Sequence, residues 1–143
     1  MKRIFTTIFI LLFYSSFSQI LDNENRDYSF IELDEYPTTQ ECQNHSRQEK
    51  FDCFKQFLND HVNKNFNYPE KAIKNKISGK VLITFTINKE GKVDSILTDG
   101  SDEILQKEAR RIISILPQFK PGIESGKPVN VKYSVPLTFK LPD

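Results

Sequence analysis

"GKVLITFTINKEGKVDSILTDG", residues 79–100, is the stretch that decides the fold. Its first half places an apolar residue at every second position and is rich in β-branched and aromatic side chains, which is typical of a strand with one packed face. The alternating residues are Val81, Ile83, Phe85 and Ile87. The turn sequence Asn88-Lys89-Glu90-Gly91 separates this run from a second strand over residues 92–98. The stretch therefore predicts a β-hairpin.

The second strand of this hairpin departs from strict alternation. Val93 and Ile96 stand three positions apart, so a regular strand would place them on opposite faces. One extra residue between them would return both to the same face. The spacing predicts a β-bulge.

"SDEILQKEARRIISILP", residues 101–117, is the clearest helix signal in the chain. Its apolar residues recur at helical spacing and form one stripe, made of Ile104, Leu105, Ala109, Ile112, Ile113 and Leu116. Ser101 or Asp102 can cap the start, and a proline ends the pattern. Glu108 alone interrupts the stripe, and we expect it to form a local salt bridge with Arg111.

The last strand, residues 129–141, alternates along its whole length. Its apolar face consists of Val129, Val131, Tyr133, Val135, Leu137, Phe139 and Leu141. Pro136 lies on the other face and has no backbone N–H to donate. Proline within sheets is confined to edge strands and bulges. We therefore expect this strand at an edge of the sheet.

The segment before the hairpin divides into several parts. Residues 1–18 combine a basic start, an apolar run and small residues, which is the layout of a secretory signal peptide. An uncleaved membrane anchor is the alternative, although the apolar run is shorter than the roughly 20 residues that a spanning helix needs. Residues 19–47 are an acidic leader without a sustained period, expected to be loosely ordered. Residues 48–65 predict an amphipathic helix, and a second short helix is expected between Pro69 and Gly79.

Together these elements predict an α+β fold with two layers. One layer is a small three-stranded antiparallel sheet, and the other consists of helices packed on one face of that sheet. An extra N-terminal helix, residues 48–65, precedes this domain.

Charge is spread along the chain and does not gather in a patch. The 143 residues carry a formal net charge of +1. Residues 19–68 hold 5 basic against 10 acidic residues, whereas residues 69–143 hold 13 against 9. A nucleic-acid footprint requires clustered positive charge. The distribution argues against a nucleic-acid partner.

The chain contains two cysteines, Cys42 and Cys53. In an exported protein such a pair indicates one disulfide, which would tie the leader to the first long helix. Adding His45 and His61 would give four candidate zinc ligands, but their spacing matches no compact zinc pattern and oxidation would remove the thiolates. A Cys–His nucleophile is a further alternative, for which no orienting third group is evident.

Catalytic signatures are missing from the sequence. There is no glycine-rich phosphate loop, no G-x-S-x-G and no H-E-x-x-H. Glu103 and Glu108 are five residues apart and do not share a helix face, so they are poor candidates for an acid–base pair. We expect no enzyme activity, no cofactor and no metal site.

Short motifs follow one another in a fixed order between residues 68 and 139. They are Tyr68-Pro69-x-x-Ala72, Gly79-Lys80-Val81, Glu90-Gly91-Lys92-Val93, Glu108-Ala109, Phe119-Lys120-Pro121-Gly122, Gly126-Lys127-Pro128-Val129 and Pro136-Leu137-x-Phe139. This ordered set resembles the C-terminal domain of TonB, the periplasmic energy transducer of Gram-negative bacteria. The resemblance assigns residues 66–141 to such a domain. The segment from Cys42 to Phe66 is similar to the variant found in Bacteroidetes-type envelope proteins.

The resemblance implies a periplasmic binding module linked to TonB-dependent transport across the outer membrane. Such a module captures an extended peptide of an outer-membrane receptor, the TonB box, as an added strand. Carried onto this sequence, the peptide-binding edge would consist of Val129, Asn130, Val131, Lys132, Tyr133, Ser134, Val135 and Thr138. Phe66 and Asn67 would lie on the approach to the receptor. Two alternatives stay open: a transducer anchored in the inner membrane by a retained N-terminus, and a structural envelope protein that forms homodimers through its strand edges.

Overall fold

The computed structural model describes residues 27–29 and 32–143, so the predicted signal peptide, residues 1–18, lies outside the described residues. The helices are α1 (Arg47–Asn65), α2 (Glu70–Lys74) and α3 (Glu103–Ser114). The strands are β1 (Asp27–Ser29), β2 (Gly79–Ile87), β3 (Val93–Gly100), β4 (Gly122–Glu124) and β5 (Lys127–Phe139). The described part of the chain contains no helix long and apolar enough to span a membrane.

The predicted hairpin and its bulge are confirmed. Strands β2 and β3 pair antiparallel, and the Gly91 amide donates to the Asn88 carbonyl at 2.8 Å to close the turn. Their register shifts between Thr84 and Thr86, where β3 carries one residue more than β2. Ser95 adopts a φ of 50° in this stretch. The extra residue lets Val93 and Ile96 both pack against the core.

Five strands form the sheet within the described part of the chain, so the expectation of three was wrong. Four of them, β4, β5, β2 and β3, pair antiparallel, and β1 pairs parallel to β5. The main order is β1-β5-β2-β3, with β4 joined to β5 through a tight turn. Strands β1 and β4 have three residues each. Alternation over three residues is too short to separate a strand from a loop.

The expected edge position of the last strand was also wrong for part of its length. On one side β5 pairs with β2 from Val131 to Phe139. On the other side β1 pairs with residues 130–132, and β4 pairs with residues 127–129, which β2 does not reach. Among the described residues, Val131 and Lys132 therefore have a partner strand on both sides, and residues 134–139 pair with β2 alone. Pro136 lies in the latter stretch.

The helices cover one face of the sheet and close a single core. The alternating residues of β2 and most of the apolar stripe of α3 are buried there, together with Phe54 and Leu58 of α1, whereas Ile104 of the stripe is half-buried. The opposite face of the sheet stays exposed, and its apolar side chains include Leu82, which is 46% exposed, and Leu97, which is 65% exposed. The predicted α+β arrangement of helices on one face of a sheet is confirmed.

Both long helices begin at capping residues. Ser46 accepts a hydrogen bond from the Glu49 amide, and the Glu49 carboxylate accepts one from the Ser46 amide, which forms a capping box at the start of α1. At α3 the cap is Asp102, whose carboxylate accepts from the Ile104 amide at 2.8 Å. These caps satisfy amides that have no partner within the helix.

Residues 32–46 of the leader pack against the domain, so the expected loose order was wrong for this part. Leu33 and Cys42 are almost completely buried. Glu35 and Thr38 form isolated bridges with Ile123 and Lys120. Single apolar side chains anchor this segment, and they leave no periodic signal in the sequence.

Candidate functional site

The second half of β5 forms an open edge, defined here as residues 134–139. Within the described residues, β2 is the only strand that pairs with this stretch, and no strand pairs with its other side. Every second backbone amide and carbonyl of such an edge points outward, where another strand can pair with it. The open edge is therefore a template for one further strand.

The predicted edge residues fall into two groups. Val129, Asn130, Val131 and Lys132 lie where β4 and β1 already pair with β5. Ser134, Val135 and Thr138 belong to the open edge. Tyr133 lies at the boundary between the groups. The available edge is thus shifted toward the C-terminus of β5 relative to the expected one.

A groove runs between α1 and the open edge. It has a volume of about 530 Å³. Its lining residues are Gln56, Asn59, Asp60, Val62, Asn63 and Phe66 from α1 and its C-terminal cap, and Val135, Pro136, Leu137 and Thr138 from β5. The sequence pattern predicts this helix but does not reveal that it lines a groove. The missed signal is the helical spacing of Gln56, Asn59, Asp60 and Asn63.

An aromatic cluster closes one end of the groove. The ring centroid of Phe66 lies 5.3 Å from that of Phe139 and 6.1 Å from that of Tyr68. The Tyr68 hydroxyl donates to the Ile77 carbonyl at 2.6 Å, which fixes its ring. Phe66 remains 39% exposed. Of the two residues expected on the approach to a receptor, Phe66 lines the groove.

The other expected approach residue, Asn67, is held by α3. The backbone amide of Asn67 donates to the Glu108 carboxylate at 3.0 Å, and Arg111 donates to the backbone carbonyl of Asn65 at 2.6 Å. The residues on both sides of Phe66 are thereby anchored to α3. The expected salt bridge between Glu108 and Arg111 is present, and its hydrogen bonds raise the pKa of the Arg111 guanidinium above the ordinary value.

Tyr133 joins α1 to the sheet beside the open edge. Its ring packs edge-on against Phe54 of α1 at 5.2 Å and against Phe85 of β2 at 6.0 Å. Partial burial raises the pKa of the Tyr133 phenol, because burial disfavours the charged form. This contact holds the helical wall of the groove against β5.

The predicted pairing of Cys42 with Cys53 is present as a disulfide that ties the leader to α1. The zinc alternative does not fit, because both thiols are used in this bond. His61 instead places its Nε2 2.9 Å from the Ile112 carbonyl oxygen of α3. In residues 27–29 and 32–143 no group of three or more potential ligands is placed to hold a metal ion.

One family model and one solved structure with a TM-score above 0.5 resemble this chain. A family model described as the Gram-negative bacterial TonB protein C-terminal matches residues 64–141. A solution structure of the Helicobacter pylori TonB C-terminal domain aligns with 74% of this chain and 96% of its own at 23% identity, with a TM-score of 0.51. A second, shorter one aligns with 63% of this chain and 96% of its own at 22% identity, with a TM-score of 0.44. No curated protein matches. At 23% identity the likeness to the first structure concerns the fold alone.

Proposed function

Since the chain belongs to the family of Gram-negative bacterial TonB protein C-terminal domains, we propose that it is a periplasmic module that captures an extended peptide by strand addition. The peptide is the TonB box of an outer-membrane receptor, and the capture serves TonB-dependent transport across the outer membrane. The domains of this family are non-enzymatic binding modules associated with transport.

The open edge beside the groove is the observation that carries this proposal. In β-augmentation, main-chain hydrogen bonds to an exposed strand supply affinity, and pockets for alternate side chains supply specificity. Residues 134–139 offer main-chain carbonyls and, except at Pro136, main-chain amides, and the groove beside them offers space for side chains. Six residues of edge correspond to about 20 Å of extended peptide.

A titration with TonB-box peptides tests the proposal. We expect backbone amide shifts in residues 133–139 and at the groove-lining residues of α1 when an isotope-labelled sample of the full chain is titrated. Peptides methylated at alternate backbone nitrogens should not bind, because they cannot pair with the edge. Binding that is insensitive to this methylation, or shifts located elsewhere, would exclude strand addition at β5.

A membrane-anchored energy transducer is the second candidate, and the apolar run near the N-terminus is the feature that favours it. Both candidates use the same edge and differ in the N-terminal segment. Intact-mass measurement of the protein from the cell envelope separates them. A mature chain beginning at Gln19 supports the exported module, and a chain that retains residues 1–18 supports the transducer.

A further inference from the structure

The wall of the groove formed by α1 has a uniform chemistry. Gln56, Asn59, Asp60 and Asn63 follow the spacing i, i+3, i+4 and i+7, which places them on one face of the helix, and all four are exposed. We name these four residues the polar stripe. They line the same groove as residues 135–138 of the open edge.

The polar stripe is about half as long as the open edge. A helix rises about 1.5 Å per residue, so the stripe extends for about 10 Å from Gln56 to Asn63. A strand rises about 3.3 Å per residue, so the stripe runs beside about three residues of a strand. Because side chains alternate between the two faces of a strand, a peptide added to the open edge would have one or two of them within reach of α1.

We propose that the polar stripe reads the side chains of the added peptide strand and selects a basic residue. The inference rests on the proposed strand addition. Alternate side chains of a strand point to opposite faces of its sheet. Because α1 packs on the face of the sheet that the helices cover, every second side chain of an added strand would point toward the stripe.

Charge decides which side chain fits best. Among the described residues that line the groove, Asp60 alone is charged. The Gln56 amide donates to the Asp60 carboxylate at 2.9 Å, and a carboxylate accepts several hydrogen bonds. Asn59 and Asn63 can both donate and accept, so they tolerate most polar groups. Asp60 therefore favours lysine or arginine over aspartate or glutamate at the facing position.

The polar stripe lies outside the part of the chain that the family model matches. That match begins at residue 64, whereas the stripe covers residues 56–63. Strand addition would thus depend on the family domain. The choice of peptide would depend on the helix that precedes this domain.

A selection experiment tests the inference. A random library of seven-residue peptides is selected on protein expressed from the full chain, as wild type, as Asp60→Lys and as the matched control Asp52→Lys. Asp52 is an exposed acid on the same helix and does not line the groove. We expect wild type and Asp52→Lys to enrich lysine or arginine at one peptide position, and Asp60→Lys to enrich acidic residues there.

Synthetic versions of the enriched peptides give the quantitative result. Replacing the selected basic residue by glutamate should weaken binding to wild type about two- to fivefold, as expected for an exposed ion pair, and strengthen binding to Asp60→Lys. Added salt should reduce both effects. The same charge preference in all three proteins would overturn the role of the stripe. In that case, loss of binding on backbone N-methylation of the peptide would still support strand addition. If no peptide is enriched above a bare surface, both proposals fail.

Discussion

Arg111 holds both oxygens of the Glu108 carboxylate, with its Nε 2.8 Å from Oε2 and its Nη2 2.7 Å from Oε1. Glu108 is the polar interruption in the apolar stripe of α3, and only 8% of its surface is exposed. Its carboxylate also accepts from the Asn67 amide, and Arg111 reaches the carbonyl of Asn65. One ion pair within α3 thereby fixes the segment that carries Phe66 into the groove.

Glu108→Ala should therefore lower the free energy of unfolding by about 1–3 kcal/mol, because a charged hydrogen-bond acceptor is lost and the Asn67 amide keeps no protein acceptor there. Urea denaturation measures the change. The matched control is Glu103→Gln, which removes the exposed pair of Glu103 with Arg110 and should cost less than about 1 kcal/mol. Equal effects of the two substitutions would mean that the Glu108 network adds nothing beyond a surface pair.

Reduction of the disulfide should destabilise the protein by about 2–3 kcal/mol, because closing a short loop removes conformational entropy from the unfolded chain. Cys42 and Cys53 are 11 positions apart. Urea midpoints with and without reductant measure the effect on wild type. The double variant Cys42→Ala/Cys53→Ala should show one midpoint under both conditions, and a midpoint of wild type that ignores reductant would contradict the prediction.

Two glycines in positive-φ turns should differ in their tolerance of alanine. A β-carbon at Gly91, which has a φ of 80°, would lie 1.7 Å from the Phe119 carbonyl oxygen. At Gly126, which has a φ of 74°, nothing lies within 4 Å of the added atom. We expect Gly126→Ala to cost about 1 kcal/mol of backbone strain and Gly91→Ala about 3 kcal/mol or more. Thermal unfolding of both variants makes the comparison, and similar costs would rule out the steric explanation.

Pro136→Val should increase self-association through the open edge. Proline on an edge strand is one of the features that hinder pairing between sheets of separate molecules, and valine restores a backbone donor and a strong strand former. Sedimentation velocity over a concentration series measures the dimer fraction. Thr138→Val is the control, because it places the same side chain on the same face of β5 without adding a donor. A rise for Thr138→Val alone would point to the sheet face as the site of association.

The capping box of α1 predicts a dependence of stability on pH. Hydrogen bonds from Ser46 lower the pKa of the Glu49 carboxyl below its ordinary value of 4.5. A carboxyl group whose pKa is lowered by folding stabilises the folded state at pH values above its ordinary pKa. This stabilisation is lost as the pH falls through the lowered pKa. Glutamine at position 49 keeps an acceptor but cannot titrate.

Melting temperatures of wild type and Glu49→Gln, measured between about pH 7 and about pH 3, test this sign. The advantage of wild type should be constant near neutrality and should shrink below about pH 4.5. An advantage that grows on acidification would contradict the assignment of Glu49 as a charged cap.

Sequence patterns predicted the local elements well because each pattern spans enough residues to reveal its period. Alternation from Val81 to Ile87 identified β2, and the irregular spacing of Val93 and Ile96 identified the bulge. Strands β1 and β4 were missed because three residues cannot display a period. The packed part of the leader was missed because it is held by separate side chains such as Leu33 and by bridges to distant residues.

The sequence by itself determined the hairpin, the helix that covers it, the pairing of the two cysteines and the family. These features depend on local periodicity, on residue chemistry and on the order of short motifs. Only the tertiary structure decided which part of β5 is open and that α1 lies beside it. Strand neighbours and groove walls come from residues far apart in the chain, so no local pattern can encode which of them meet. The candidate site therefore narrowed from the predicted edge, Val129–Val135 with Thr138, to residues 134–139.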